Sequence, residues 1–509
     1  MSPSPAGSGG RGGSLLVVDV GTAGVRAAVV RPDATVEHVR HVPVPPSSPA
    51  PGLVEVDAQR IAEAVLEVAA AALAAGGPVA GVGVANQRAT TVVWDRATGR
   101  PVAPGIGWQD LRTVGTCLVL QAEGLRLAPN MSATKIAAIL DTVDPDRARA
   151  EELCWGTVDS WVCWTLAGGS DGPGGGLHVT DATNAAVTGL VRRGESGRWD
   201  VWDERVLDVL RIPATMLPAI VDSCGAVGPA SALAGSPTIC GVAGDQQASL
   251  VGQGCTRPGL AKATFGTGGM LDLCTGTEAP GHARRGPAGT FPIVAWQRAA
   301  VAWWGVEAIV LTAGACIEWL RDDLGVLESA AASADVAAGC EDTGDVWFVP
   351  SLLGMGTPVW DFGARGTLVG VSRGTGRPEL VRAVLEGVAH RGADLLEAAE
   401  ADSAMTVPTL RVDGGMSAND VFVQALADAT GRPVEVSPVL EATTLGAGYL
   451  AGMAVGTWRD EDDVAGAFVP RRVVEPALTA AARDNQRARW LAARQRAEAT
   501  IPELSGISF

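Results

Sequence analysis

The sequence predicts an α/β protein built from two similar halves. Three observations carry that prediction. Residues 14–30, SLLVVDVGTAGVRAAVV, read as strand, glycine turn and strand. A helical stripe at 57–77 and a short apolar strand at 78–88 follow, and that element order builds an α/β sheet. The hairpin plan then returns at 256–276, TRPGLAKATFGTGGMLDLCTG, which reads as an internal duplication with a boundary near Pro258.

Each element has a local reason. Leu15–Val18 make a continuous apolar run, Gly21 and Gly24 mark the turn, and Val25, Ala27 and Val29 alternate as in a strand. Ile61, Val65, Val68 and Leu73 fall near helical spacing, and Gly76 supplies the stop. PVAGVGVANQR (78–88) is a buried strand ending in polar residues. The region 151–225 mixes tryptophans with the glycine-rich GGSDGPGGGLH, a surface loop. Residues 308–325, AIVLTAGACIEWLRDDLG, are expected to be helical, and Leu380, Val384, Val388, Leu395 and Leu396 form a helical stripe within 379–402. Residues 409–431 read as strand, glycine turn and helix, with Asn419 or Ser417 as N-cap. A last helix near 476–499 packs on the outside. The expected divisions are a flexible tail (1–13), a first domain (14–257), a second (258–458) and a helical extension (459–509).

Composition narrows the function. The 509 residues exceed one ordinary core, and the balance of 47% apolar to 19% charged residues suits a soluble protein with buried sheets. A formal charge of −17 with no dense basic run excludes a nucleic-acid partner. Nine scattered cysteines lack any C-x-x-C pair and read as buried thiols in a reducing compartment. LLVV meets Asp19 too soon for a signal-peptide core, and the run 61–85 carries Glu63, Glu67 and Pro78, which argues against a membrane span. A cytoplasmic location is expected.

The candidate chemistry centres on GVAGDQQASL (241–250), where Asp245 stands among residues suited to burial. A buried, unpaired carboxylate is costly, so such an acid has a partner or a task. Three glycine turns accompany it: DVGTAG (19–24), FGTGG (265–269) and DGGMSAN (413–419). Glycine at a strand end lets backbone N–H groups converge on an anion, and Thr22 and Thr267 add hydroxyls. Together the turns point to a nucleotide held between two domains. No G-x-x-x-x-G-K-[ST] loop occurs, DFG (361–363) and HRG (390–392) stand in reversed order for a protein kinase, and GVGVAN lacks the third glycine of a dinucleotide fingerprint.

In sequence order, DVGTAGVRAAVV, NQRATTVVWDRATGRPV, WQDLRT, WGTVDSWVCWTLAGG, HVTDATNAAVTGL, AGDQQASLVGQG, ATFGTGG, ACIEWLRD, WDFGARGTLVGVSRGT and LRVDGGMSAND resemble the motifs of the FGGY carbohydrate kinases. The resemblance spans 14 to about 458. It implies two actin-like, ribonuclease-H-like domains closing on ATP and a small polyol or sugar across an interdomain cleft. It implies Asp245 as catalytic base and Asp19 as the acid that holds Mg²⁺ through water. Thr22, Arg26, Gly266, Thr267 and Gly268 match phosphate-contacting positions. Gly314, Glu318, Gly415 and Asn419 match positions lining the nucleotide. Arg88, Trp108, Asp245 and Gln246 match the acceptor site.

Three acceptor-site positions depart from family members that phosphorylate glycerol: Ala89 replaces a glutamate, Asn130 a tyrosine and Met270 a phenylalanine. The expected consequence is a less constrained Arg88 and an acceptor that is larger than glycerol or acidic. On the nucleotide side, Ala23 replaces a threonine and Glu318 a glutamine. Members inhibited by fructose 1,6-bisphosphate carry an arginine before the catalytic segment, where this chain has ALAGSPTICG, so no such inhibition is expected. Two other readings use the same architecture: a nucleotide-driven switch without a small acceptor, and a catalytically impaired polyol sensor. The oligomeric state, including a homo-oligomer, stays open.

Overall fold

A computed structural model describes residues 12–172, 176–194, 198–439 and 441–507. Most of the expected tail and the middle of the glycine-rich loop lie outside the described residues. Strands β1 (Leu15–Val20), β2 (Gly24–Val30) and β3 (Val36–Pro43) form an antiparallel meander. All six residues of β1 are buried, as a strand covered on both faces requires. The β1–β2 turn closes through Gly21 N–H donating to Gly24 O at 3.0 Å. Helix α1 (Ala58–Gly76), capped by Asp57 on Arg60 N, crosses to β4 (Gly81–Asn86), which runs parallel to β1. After β5 (Cys224–Pro229), β6 (Thr238–Gly244) lies parallel to β4.

The second half repeats this plan. Strands β7 (Ala261–Phe265) and β8 (Gly269–Gly276) pair as a hairpin, followed by β9 (Phe291–Arg298) and β10 (Val301–Val310). Strand β11 (Leu410–Asp413) is parallel to β7, and β12 (Val434–Val436) to β11. With β13 (Arg472–Val474) at one edge, the order is β13-β12-β11-β7-β8-β10-β9-β5-β6-β4-β1-β2-β3, a continuous 13-stranded sheet joined by Cys224 of β5 beside Arg298 of β9. The residues expected to start a helix at 308 instead finish β10, in register with β8 (Ala308 opposite Leu271). A β-branched apolar run with a cross-strand partner favours the sheet. The helix begins only at Ala315.

The helices that matter for the cleft are α2 (Val158–Leu166), α3 (Asp245–Gly252), α4 (Ala315–Asp322), α5 (Arg377–Ser403), α6 (Asp420–Thr430), α7 (Ala442–Val455) and α8 (Ala480–Ala497). Although α7 falls within the second half of the sequence, it packs on the first half's strands. Leu445, Ala447, Tyr449 and Leu450 join Leu15, Val17, Val30 and Ala243 in one buried cluster. The approach is backbone to backbone: a Cβ on Gly83 would lie 2.5 Å from Ala447 O, and one on Gly446 would meet Ala248 O of α3. GVGVAN is therefore a strand kept bare for a crossing helix.

Among the described residues after 459, helices at 461–467, 480–497 (α8) and 502–505 alternate with loops and edge strand β13. Trp490 of α8 stacks on His390 of α5 at 5.2 Å, and its indole N–H, Arg487 and Arg494 all donate to buried Asp394. Arg391 of the HRG segment reaches the same carboxylate at 2.6 Å, and Asp361 of DFG accepts from Gly363, Ala364 and Ala499 N–H and Ser505 Oγ. Both motifs hold the structure together. All nine cysteines are free, and eight are buried. No helix among the described residues is long and apolar enough to cross a membrane.

Candidate active site

Asp245 sits where β6 gives way to α3, at the carboxyl end of a parallel strand, where open α/β sheets collect their ligands. Its neighbours Gly244 and Gln247 are buried, whereas the Asp245 side chain keeps 32% of its surface. Oδ1 accepts the Gln246 N–H at 2.8 Å and lies 3.7 Å from Arg88 Nε. Burial raises its pKa above the ordinary carboxylate range, and Arg88 opposes that rise. A carboxylate so placed is a stronger base than one in water.

Arg88 follows the carboxyl end of β4, one strand away. It is not left unconstrained. Glu307 of β10 accepts its Nη2–H at 2.7 Å, and the two side chains are 13% and 8% exposed. The carboxylate missing at Ala89 is thus matched by one from the other half of the molecule. Burial pushes the Glu307 carboxyl up while Arg88 pulls it down. Behind this pair, Lys262 Nζ is fully buried and lies 2.8 Å from Asp272 Oδ2, 2.8 Å from Gln246 Oε1 and 3.1 Å from Thr264 Oγ1. Burial disfavours the ammonium, yet Asp272 and Asp413 outweigh it and hold the pKa above its usual value. Asp245, Asp272 and Glu307 face Arg88 and Lys262, so the formal charge of this cluster is negative. That surplus of negative charge weighs against an acidic acceptor.

The remaining acceptor-side residues differ in placement. Trp108 donates its indole N–H to Thr22 Oγ1 at 3.2 Å, so a residue expected at the acceptor touches one expected at the phosphates. Ala89 is 6% exposed with φ at 61°, and its carbonyl accepts from Ser132 Oγ at 3.1 Å. A left-handed alanine is strained, and Ser132 helps to hold it. Met270 Sδ lies 4.0 Å from Arg88 Nη2. Asn130 is exposed, and its carbonyl accepts from buried Lys135 at 3.3 Å.

On the phosphate side, Asp19 and Arg26 face each other across the β1–β2 hairpin. Burial lifts the Asp19 pKa to about 7; Arg26 opposes this, while Asp245 and Glu441 add to it. Arg26, expected on a phosphate, is ion-paired with Glu441 beside the start of α7. The second hairpin turn is tied to the entry of α4 by Gly314 N–H to Gly266 O and Ala313 N–H to Thr267 O, both at 2.8 Å. A Cβ on Gly314 would approach Gly266 O to 2.6 Å, whereas Cβ atoms on Gly266 and Gly415 would meet nothing within 4 Å. Space is open beside those two glycines, where the nucleotide is expected, and Gly268 and Thr267 complete the turn. Asn419 caps α6 through Phe422 N–H and donates to Ser333 Oγ, and Glu318 projects from the first turn of α4. Among the described residues, no cluster of three or more His, Cys, Asp or Glu side chains forms a metal cage.

A duplicated α/β fold with a glycine hairpin in each half and an acid at a strand's carboxyl end is the plan of a two-domain phosphotransferase. Residues 14–252 match the N-terminal domain, and residues 261–455 the C-terminal domain, of the FGGY family of carbohydrate kinases. The chain belongs to that family. It is 42% identical to the glycerol kinase of Trichlorobacter lovleyi over 482 residues, covering 91% of this chain and 94% of that protein. It is 38% identical to glycerol kinase 2 of Thermotoga maritima over 494 residues, covering 94% and 97%. The structure of Plasmodium falciparum glycerol kinase with ADP superposes with a TM-score of 0.86 at 25% identity, covering 97% of this chain and 99% of that one. A Lactobacillus acidophilus xylulose kinase shares the fold, with a TM-score of 0.82 at 20% identity.

Proposed function

We propose that the protein transfers the γ-phosphoryl group of ATP to a terminal hydroxyl of a neutral small polyol or sugar, glycerol among them. The observation that carries this reading is Asp245, partly exposed in the cleft, with its basicity raised by burial and Arg88 beside it. As the hydroxyl oxygen bonds to phosphorus, its proton passes to the Asp245 carboxylate and ADP leaves. Arg88 and Gln246 orient the acceptor, Trp108 walls it, and the hairpin turns at Thr22 and Thr267 receive the phosphates.

Asp19 suits Mg²⁺: it is a buried hard-oxygen donor whose charge a cation would stabilise. When bound with ATP, the ion would neutralise phosphate charge. Arg26, paired with Glu441, orders the strand end from which Asp19 projects. The domains proposed are 14–257 and 258–458, with α7 reaching back onto the first, in a cytoplasmic protein. A switch without an acceptor has no use for Arg88 and Gln246 beside Asp245, or for Trp108.

The test is a coupled ADP-release assay across glycerol, tetritols, pentitols, ketoses and aldonic acids. Acceptor-dependent release with a neutral compound is expected. ATP turnover indifferent to every acceptor would refute the reading.

A further inference from the structure

We propose that Lys262 is a positioning residue of the acceptor site, turning the Gln246 carboxamide so that its Nε2 donors face the cleft and select a hydroxyl or carbonyl oxygen of the substrate. The inference rests on the phosphotransfer reading above. An ammonium group has donors only, so the Gln246 atom 2.8 Å from Lys262 Nζ is the amide oxygen. The flipped amide would set N–H groups against the N–H groups of a fully buried ammonium.

Lys262 is itself fixed. It lies opposite Asp272 in the β7–β8 register, with Asp272 Oδ2 at 2.8 Å and Thr264 Oγ1 at 3.1 Å. Its position thus comes from the second half's hairpin, while Gln246 belongs to α3 of the first half. The Gln246 backbone N–H already serves Asp245 Oδ1 at 2.8 Å, so one residue touches the base through its main chain and faces the acceptor through its side chain. Gln246 is half-buried, and its Nε2 has no hydrogen-bond partner among the described residues. Arg88 Nη1 is likewise a buried donor without a partner. The two residues therefore offer donors, while Asp245 offers the acceptor. A polyol carrying a second oxygen beside the reacting hydroxyl satisfies that arrangement. A chain with hydrogen in place of that hydroxyl leaves Nε2 unpaired.

If Lys262 served only to neutralise Asp272, removing both charges together would leave acceptor binding intact. Calorimetric binding of glycerol and xylitol to the full chain distinguishes the two roles. The variants are Lys262→Met with Asp272→Asn, Gln246→Leu, and all three changes together; the Asp272 change avoids an unpaired buried charge. The expected result is roughly tenfold weaker acceptor binding for the Lys262→Met/Asp272→Asn protein, unchanged ATP binding, and no further loss in the Gln246→Leu background. Wild-type acceptor affinity, or an equal loss on top of Gln246→Leu, overturns the proposal.

Should the double variant fail to fold, Gln246→Glu keeps Lys262 paired but offers no N–H. Roughly tenfold weaker binding is expected there as well, and wild-type affinity overturns the proposal. Wild-type protein that binds an acceptor without acceptor-dependent ADP release refutes the phosphotransfer reading and leaves the Lys262 assignment to the variants. Wild-type protein that binds neither polyol overturns both.

Discussion

Replacing Glu307 with glutamine tests whether the charge set around Arg88 determines the acceptor's charge. Glutamine retains an oxygen to accept the Arg88 Nη2–H now held at 2.7 Å, so the fold survives at a cost of about 1–3 kcal/mol. What disappears is one negative charge. In the wild type, Asp245, Asp272, Asp413 and Glu307 outnumber Arg88 and Lys262 by two, and in the variant by one. A substrate carboxylate bound to Arg88 would stand roughly 6 Å from the Glu307 carboxylate. At an effective dielectric of about 20 their repulsion is about 3 kcal/mol, or about 100-fold in binding. The assay is kcat/KM for a matched pair, xylitol and xylonate, by coupled ADP release. Wild type should prefer xylitol, and Glu307→Gln should move the ratio toward xylonate by one to two orders of magnitude, about 10- to 100-fold. A wild-type preference for xylonate, or an unchanged ratio in a folded Glu307→Gln protein, would refute the reasoning.

Three further outcomes are expected. Asp245→Asn should reduce kcat by about 10²- to 10⁴-fold while ATP binding by calorimetry stays within about twofold, since only the proton acceptor is removed; retained turnover would refute Asp245 as the base. His390, buried against Trp490, has its pKa pushed down to about 3 by burial and by Arg487, so its contribution to stability is present above about pH 6.5 and is lost as pH falls from there toward 3. Denaturant unfolding at pH 7 and pH 5 should therefore show His390→Phe losing about 2 kcal/mol less than wild type over that interval, and identical pH slopes would rule this out. Fructose 1,6-bisphosphate at millimolar levels should leave steady-state turnover unchanged, because ALAGSPTICG offers no arginine; dose-dependent inhibition would contradict that.

Much of the fold is legible in the chain because continuous apolar runs ending in glycine have few alternatives. The hairpins at 15–30 and 261–276, the helix from 58 and the helix from 377 follow from local pattern. The segment 308–325 misleads because Ala308, Ile309 and Val310 fit either period, and only β8 alongside them decides. Glu307, one residue before that segment, carries the same signal as Asp245: one acid within an apolar strand. Lys262 is conspicuous in a chain with two lysines, yet its partners Asp272 and Gln246 are assembled by register and by the meeting of the halves. Residue spacing carries no trace of that. Ala89, Asn130 and Met270 look alike as departures, but the structure separates a buried strained alanine from an exposed asparagine.

The return of α7 to the first sheet bears on how the protein is made. Gly83 and Gly241 leave bare strand surface on which Ala447 and Ala451 of α7 come to rest. A ribosome must therefore deliver nearly the whole polypeptide before its amino-terminal lobe is complete, and the nascent chain carries an apolar face in the meantime. Cutting the gene at the sequence midpoint would divide neither lobe cleanly from the other.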